Sequence, residues 1–158
     1  MIEKKIPCIL QDTREGTPFN FAPYIADGSW TVKVQGLTWG DYSIEGLSDL
    51  VVVERKELGD LINCCGGERE RFEREIKALR GFKYKCVMIE ADLKTIVKGG
   101  WRSKVTPSQV LGTIASWRIK YGCDFIYGGN AELAAGETFR TLRKYYEFCQ
   151  DYAKRFQI

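Results

Sequence analysis

One stretch constrains the fold of this chain more than any other: Val51-Val52-Val53-Glu54-Arg55-Lys56. Three consecutive β-branched residues are typical of a strand buried on both faces. Such a strand should not end in three charges unless those charges have partners or a function. Because side chains alternate along a strand, Glu54 and Lys56 share one face and Arg55 points to the other. The end of this strand is therefore the first candidate site.

Length and composition predict a single domain that comprises residues 1–158. The chain has 158 residues, of which 44% are hydrophobic, enough for one packed core. No apolar run approaches the ~18–20 residues of a membrane span, and residues 1–5 do not begin a signal peptide. None of the six cysteines forms a C-x-x-C pair. We therefore expect free, structural thiols and an intracellular protein with no membrane partner.

The chain has no histidine. This excludes Ser-His and Cys-His nucleophilic catalysis, histidine general bases and histidine-containing zinc sites. Any catalysis must rest on carboxylates, Lys, Tyr, Cys or a hard metal ion.

Charge is distributed unevenly along the chain. Residues 1–60 carry 6 basic and 10 acidic side chains, a net charge of −4, so the total of +3 requires +7 in residues 61–158. An acidic centre beside a basic flank favours a metal site that faces a polyanion. An ordinary solvated surface would give the same asymmetry.

Hydrophobic periodicity predicts one α/β layer structure with a mixed sheet, in the order β, βββ, αα, β, αα, β, α. The predicted strands are 6–10, 31–35, 41–44, 50–56, 84–91 and 124–127. The strand 31–35 alternates and is expected to be half-buried. We expect it to form an antiparallel meander with the next two strands, which would bring Asp41 close to Glu54. Residues 16–30 are predicted to be a loop whose aromatic residues pack on the core.

The predicted helices cover 57–63, 68–80, 106–121 and a final segment that follows Asn130. Thr106, Pro107 and Gln109 form a helix start with a capping box. The final helix has an apolar stripe at intervals of three and four residues, which indicates a core face. No nucleotide cofactor is expected.

Two carboxylates are candidates for metal ligands. Hydrolysis of a phosphodiester requires an activated water, positive charge beside the phosphate and a stabilised leaving group, and Mg²⁺ or Mn²⁺ supplies all three through oxygen ligands. We assign Asp41 and Glu54 as ligands. Asp12 is a third carboxylate, bound directly or through water.

The neighbouring charges have supporting roles in this hypothesis. Lys56 would orient the water or neutralise the phosphate, and Arg55 would contact a phosphate or hold local structure. Asp60 is expected to pair with one of these two cations. The alternative is a surface ion-pair network at the end of a strand.

Three motifs together resemble a known family. Asp12-x-Arg14-Glu15, Gly40-Asp41-Tyr42 and Val53-Glu54-Arg55-Lys56-x-x-x-Asp60-Leu61 are similar to the XPF-type structure-specific endonucleases. Their nuclease domain carries a G-D…E-R-K-x-x-x-D motif within the PD-(D/E)XK superfamily. Arg71-Phe72 and Val87-Met88-Ile89-Glu90 extend the likeness, which covers roughly residues 6–150.

The resemblance implies a restriction-endonuclease-like three-layer fold, with a central mixed β-sheet flanked by helices. It also implies an endodeoxyribonuclease of DNA repair or recombination that requires Mg²⁺ or Mn²⁺ and cuts branched, flapped or forked DNA. In the family, catalysis depends on the positions that match Asp41, Glu54, Arg55, Lys56 and Asp60, and the position that matches Asp12 lies at the site.

This sequence departs from the family pattern in two respects. Family members usually carry a tandem helix-hairpin-helix domain after the nuclease domain, and none is expected before the chain ends at Ile158. Glu75 stands where the family often has Gln. A stand-alone domain of this size resembles phage, prophage or archaeal proteins.

Several basic and aromatic residues are candidates for DNA contacts. Arginines on the helix 68–80 follow helical spacing. This spacing would let them lie along a phosphate backbone, and it is equally typical of an ordinary solvated face. Trp101, in a Gly-Gly-Trp-Arg loop, is suited to stacking on an unpaired base or to burial in the core. The predicted set is Arg14, Arg71, Arg74, Trp101, Arg102 and Lys104.

Other functions stay open at this stage. A catalytically inactive DNA-binding or partner-recruiting module on the same fold is the alternative to an active nuclease. A purely structural protein would leave the charged strand end unexplained. A homodimer is expected to use the final helix or the Trp101 loop.

Overall fold

The computed structural model describes residues 5–158 and is built on a six-stranded mixed sheet in the order β2-β1-β3-β4-β5-β6. The third strand is antiparallel to both of its neighbours, and all other neighbouring strands are parallel. The strands are β1 (Cys8–Gln11), β2 (Thr31–Val34), β3 (Tyr42–Ile44), β4 (Val51–Lys56), β5 (Tyr84–Ile89) and β6 (Asp124–Tyr127).

Six α-helices and one 3₁₀ turn connect and cover the sheet. They are α1 (Ala22–Ile25), α2 (Leu58–Cys65), α3 (Arg69–Ala78), the turn Leu79–Gly81, α4 (Leu93–Lys98), α5 (Pro107–Tyr121) and α6 (Ala131–Phe156). Helices α2 to α5 pack on one face of the sheet around Phe72, Ile114 and Trp117. Helix α6 and the segment between β1 and β2 cover the other face. The expected three-layer α/β architecture is confirmed.

Strand β4 occupies the interior of the sheet between β3 and β5. Val51, Val52 and Val53 are all fully buried, which confirms the prediction of a strand covered on both faces. Val51 and Val53 belong to the core beneath α6. Strand alternation then sends Arg55 toward that same core and sends Glu54 and Lys56 toward the opposite layer.

The predicted meander is wrong for its first strand. Strand β2 lies at the edge of the sheet and is parallel to β1, which is inserted between β2 and β3. The physical reason is burial: Ile9 and Leu10 of β1 are 0% and 1% exposed and require neighbours on both sides. The prediction that β2 is half-buried is also wrong, because Val32 and Val34 are 37% and 59% exposed. The antiparallel pairing of β3 with β4 is confirmed.

The helix starts that carry capping signals are confirmed. Thr106 and Gln109 form the reciprocal capping box at the start of α5, and the Asn130 side chain accepts a hydrogen bond from the Leu133 N–H at the start of α6. In the segment predicted to be a loop, α1 is a single short helix that sequence reasoning missed. Phe19 and Phe21 beside it are buried, as expected.

The remaining expectations concern membrane spans, cysteines and a signal peptide. Within residues 5–158, no helix is both long enough and apolar enough to cross a membrane. All six cysteines lie in this range and are free thiols. The prediction about a signal peptide concerns residues 1–5, which lie outside the described residues except for Lys5.

Gly40 connects the loop after β2 to β3 in a conformation that favours glycine. Its φ is +76°, in the left-handed region, and a Cβ at this position would lie 2.1 Å from Cγ2 of Val52 and 3.3 Å from the carbonyl oxygen of Val53. The missing side chain lets the backbone approach β4 closely. Residue 41 therefore lies directly beside the end of β4.

We expect Gly40→Ala to lower the free energy of unfolding more than Gly46→Ala does. Gly46 has a similar φ of +82° but no atom within 4 Å of its ideal Cβ, so its substitution should cost only the ~1–2 kcal/mol of a left-handed backbone. Overpacking against Val52 should add about 1–3 kcal/mol at Gly40. Urea unfolding of the two variants measures the difference, and equal losses would contradict the close approach.

Candidate active site

The candidate site lies at the sheet edge where the carboxyl ends of β1 and β4 meet the start of β3. The Asp12 N–H donates to the Asp41 carbonyl at 2.8 Å, and the Asp41 N–H donates to the Val53 carbonyl at 2.9 Å. These backbone hydrogen bonds continue the ladders of β1–β3 and β3–β4 by one residue. They hold residues 12 and 41 beside the charged end of β4.

Asp41 and Glu54 form a pair of carboxylates in this edge. Oδ2 of Asp41 accepts a hydrogen bond of 2.7 Å from the Arg55 N–H, so the side chain is held directly by the backbone of β4. Burial, reinforced by the nearby charge of Glu54, raises the pKa of Asp41 to about 8. Burial also raises the pKa of Glu54, although the Lys56 ammonium opposes it.

Lys56 lies between the carboxylates and the helical layer. Its Nζ is 3.2 Å from Oε1 of Glu54 and 4.8 Å from the centre of the Phe72 ring. Burial alone would lower the pKa of Lys56, but the Glu54 carboxylate outweighs that effect and raises it. Lys56 is therefore a fixed cation that cannot serve as a general base near neutral pH.

Arg55 points away from the carboxylate pair and into the opposite core. Its side chain is only 8% exposed and lies 3.1 Å from Oε2 of Glu15. It also donates to Glu90 and to the Thr17 carbonyl, and its guanidinium lies 4.4 Å from the centre of the Phe19 ring. Of the two roles expected for Arg55, these contacts support the structural one.

Asp12 organises the loop that precedes β3. Its Oδ1 accepts from the Leu37 N–H at 2.7 Å, and its Oδ2 accepts from the Arg14 backbone and guanidinium N–H groups. Burial would raise the pKa of Asp12, but these hydrogen bonds outweigh it and lower the pKa. Both oxygens thus have N–H donors. Asp12 lines the same cleft as Asp41 and Glu54, but within residues 5–158 no three carboxylates converge as a ready-made metal cage.

These elements enclose a cleft of about 250 Å³. The carboxylate pair and Lys56 lie in it, and Arg14 from the loop after β1 and Arg71 from α3 contribute cations to its lining. Arg71 also pairs with Glu75, at 3.0 Å. Glu75 is the fourth acidic residue of the lining, with Asp12, Asp41 and Glu54. The structure thus brings together Asp12, Arg14, Asp41, Glu54, Lys56 and Arg71 from the sequence-predicted set.

The remaining predicted residues lie elsewhere. Asp60 is exposed on α2, outside the cleft, and the described residues contain no salt bridge between it and Lys56 or Arg55. That expected pairing is wrong because both cations have nearer carboxylates. Arg74 and Arg102 are exposed, and Lys104 lines a separate depression beside Arg69.

Trp101 is packed and hydrogen-bonded within the protein rather than exposed for stacking. It packs against the core beneath α5, and its indole N–H donates to the Val105 carbonyl at 2.6 Å.

The exposed tryptophan beside the cleft is Trp39, which sequence reasoning missed. Its position directly before the Gly40-Asp41 motif was the signal that could have identified it. Glu15, the partner of Arg55, was missed as an ion-pairing residue.

The donor set fits a hard divalent cation with few protein ligands. Within residues 5–158, no three carboxylate or thiol side chains converge as a ready-made metal cage. Mg²⁺, however, is usually held by one or two carboxylates, and keeps several waters or binds substrate phosphate oxygens. Asp41 has no salt bridge among the described residues, and burial, reinforced by the nearby charge of Glu54, disfavours its ionised form. A bound cation would compensate the ionised pair.

The fold and the site define an α/β protein of the nuclease-fold class, with a carboxylate pair and a lysine at the end of a buried strand. The chain matches the ERCC4 domain over residues 11–138, most of its length, and it belongs to this family of DNA endonucleases. A comparison with curated proteins finds no match.

Two solved structures of XPF from Aeropyrum pernix are similar in fold. One shares 18% sequence identity at a TM-score of 0.69, over 93% of this chain and 69% of that chain. The other, a complex with DNA, shares 18% identity at a TM-score of 0.70, over 89% of this chain and 66% of that chain. This chain therefore spans about two thirds of the length of these proteins, and the match establishes the fold.

We expect Arg55→Ala to lower the free energy of unfolding by about 3–5 kcal/mol, because it leaves the largely buried Glu15 and Glu90 carboxylates, 14% and 11% exposed, without their cation. Arg140→Ala is the matched control, since Arg140 pairs with Glu137 on the exposed surface of α6 and should contribute at most about 1 kcal/mol. Urea unfolding measures both. An Arg55 variant as stable as the control would contradict the structural role.

The pKa of Asp41 predicts a pH dependence of stability in metal-free protein. The folded state holds a proton on Asp41 up to about pH 8, whereas the unfolded chain releases it near pH 4. The folded state thus binds more protons between these values, and the free energy of unfolding falls as pH rises through this window. Asp41→Asn should remove part of this dependence and stabilise the protein by about 1–3 kcal/mol at pH 8, but not at pH 4.

Unfolding by urea in EDTA at the two pH values tests this expectation. Asp151→Asn, at an exposed position on α6, is the control and should leave the pH profile unchanged. An Asp41→Asn protein with the wild-type profile would show that Asp41 titrates normally.

Proposed function

We propose that this protein is a divalent-metal-dependent endodeoxyribonuclease that hydrolyses phosphodiester bonds in branched, flapped or forked DNA. The observation that carries the proposal is the carboxylate pair of Asp41 and Glu54, buried beside Lys56 in a cleft that also contains Arg14 and Arg71. Membership of the ERCC4 domain family supports it. So does the likeness to a structure described as a complex of XPF with DNA.

The carboxylate pair would hold Mg²⁺ or Mn²⁺. Asp41 is held in place by the Arg55 N–H through one oxygen, which leaves lone pairs for a cation. Glu54 projects from the next strand toward the same cleft. When bound, the cation supplies Lewis-acid stabilisation of charge on the phosphate and activation of water.

Lys56 would act as the fixed positive charge beside the reacting phosphate. Its ammonium stays protonated because Glu54 raises its pKa, so it orients a water or neutralises a phosphate oxygen and does not remove a proton. Asp12 would be a third carboxylate at the metal, bound directly or through water, and it also braces the loop before β3. Asp60, a catalytic residue in the sequence-based hypothesis, stays a prediction without a contact to the cleft.

The cations of the cleft define a path for the DNA backbone. Arg14 and Arg71 are both partly exposed and lie in the lining of the cleft, where they would contact phosphates on either side of the scissile bond. Arg74, Trp101, Arg102 and Lys104 stay predicted contacts for more distant DNA. The expectations of a homodimer through α6 or the Trp101 loop, and of an intracellular location, likewise stay predictions.

The alternative, an inactive DNA-binding or partner-recruiting module, lacks a specific observation in its favour. A module that only binds DNA would gain nothing from two adjacent carboxylates at a polyanion surface, since they repel phosphate and carry the cost of burial. The same experiment distinguishes the two functions.

We expect cleavage of labelled DNA with Mg²⁺ or Mn²⁺, no cleavage in EDTA, and a loss of at least ~100-fold for Glu54→Gln. The substrates are single strand, duplex, 3′-flap, fork and four-way junction. Because the cation should bind the folded state, Mg²⁺ should also raise the melting temperature of the wild type and not of Glu54→Gln.

Glu147→Gln is the control for these measurements, because Glu147 pairs with Arg143 and Lys144 on the outer surface of α6. It should match the wild type in both readouts. Cleavage by Glu54→Gln at the wild-type rate, or cleavage that persists in EDTA, would contradict the assignment. Intact binding without cleavage of any substrate would favour the recruiting module.

A further inference from the structure

Trp39 is an exposed aromatic residue in the wall of the catalytic cleft. Its side chain is 43% exposed, whereas Trp30 and Trp117 are buried and Trp101 packs against the core. It lies two residues before Asp41, a span of at most about 7 Å. An indole in this position is next to the nucleotides that flank any phosphate bound beside Asp41.

The loop that presents Trp39 is firmly braced. Asp12 accepts a hydrogen bond from the Leu37 N–H at 2.7 Å, and the Arg14 guanidinium donates to the Leu37 carbonyl at 3.0 Å. On the other side, Gly40 lies against Val52. A loop backbone held by these contacts presents the ring on a preorganised surface, because the loop has little conformational freedom left to lose on binding.

Trp39 also borders a second depression, of about 390 Å³. Trp39 and Thr38 line both this depression and the catalytic cleft, so they form the ridge between the two. The second depression is lined by Gln35, Gly36, Leu37, Thr38, Trp39, Ser48, Asp49 and Phe82.

The two depressions differ in chemistry. The catalytic cleft contains Arg14, Lys56 and Arg71, which suit a phosphate backbone. The second depression has no Lys or Arg in its described lining, and its one charged residue is Asp49, which repels phosphate. Hydroxyl and amide groups beside aromatic rings suit a nucleobase, which has a flat face for stacking and donors and acceptors along its edge.

We propose that the depression behind Trp39 binds an unpaired nucleobase next to the scissile phosphate, with the indole as its stacking platform. A base inside a duplex is already stacked and cannot enter, so the site would favour DNA with a single-stranded arm at the point of cleavage. This inference rests on the proposed nuclease function, which it deepens by assigning branch preference to a site within this domain.

The test measures DNA binding in EDTA, so that it is independent of catalysis. A fluorescein-labelled fork and a duplex of equal length are titrated with the wild type, Trp39→Phe and Trp39→Ala. Loss of base stacking should weaken fork binding by roughly 10- to 100-fold in Trp39→Ala and leave duplex binding within about 2-fold. Trp39→Phe should retain most of the preference because it keeps an aromatic ring.

A 2-aminopurine placed at successive unpaired positions of the fork locates the base. Its fluorescence should be quenched near the junction by the wild type and not by Trp39→Ala. Phe148→Ala removes another exposed aromatic residue, from α6, and should change neither readout.

The outcomes separate this inference from the proposed function. Equal affinities of Trp39→Ala and wild type for the fork, or equal losses on fork and duplex, would overturn the base site whatever the nuclease assay shows. If Trp39→Ala fails to fold by circular dichroism, Phe82→Ala decides, because Phe82 lines the depression that the base would occupy. Wild-type affinity of Phe82→Ala for the fork would then overturn the proposal.

Discussion

The buried ion-pair network of Arg55 is the constraint on which the site depends. A guanidinium taken out of water on the inner face of β4 is tolerable only with partners, and Glu15 and Glu90 come from two other parts of the chain to supply them. Because β-strand side chains alternate, the position of Arg55 on this face places Glu54 and Lys56 on the opposite face of the sheet. A shift of one residue in the register of β4 would bury Glu54 and Lys56 beside Phe19, on the face that Arg55 now occupies. One interaction therefore positions both catalytic candidates without touching the cleft.

A second constraint joins β3 to this arrangement. The ladder between β3 and β4 is short, and Asp41 extends it twice, once through its own N–H to Val53 and once through its carboxylate to the Arg55 N–H. The side chain substitutes for a backbone acceptor at the end of the ladder. Gly40 makes this possible because the chain passes so close to Val52 that no Cβ fits. The two residues of the Gly-Asp motif thus have separate structural roles. Gly40 lets the chain approach β4 closely, and Asp41 accepts the hydrogen bond from the Arg55 N–H.

Sequence reasoning recovered the parts of the structure that local chemistry determines. The valine run of β4, the capping box at Thr106 and the separation of Arg55 from Glu54 and Lys56 all follow from periodicity and side-chain hydrogen bonding. The location of β2 did not follow, because its alternating pattern is equally compatible with either neighbour, and only the need of β1 for burial on both sides decides between them. The role of Glu15 was missed because its pairing with Arg55 is a contact across the fold that leaves no local pattern.

The burial and the charges of the cleft explain why the pKa of Asp41 is raised. Each cation in the lining already has a carboxylate partner: Arg14 pairs with Asp12, Arg71 with Glu75 and Lys56 with Glu54. Asp41 has only a backbone N–H and lies beside the charge of Glu54, so burial and repulsion both raise its pKa. Protonation relieves this imbalance in the free protein, and a divalent cation would relieve it more completely, because it also compensates Glu54. The ionised form of the site is thus balanced by one cation from solution, beside the phosphate contacts that Arg14 and Arg71 would make.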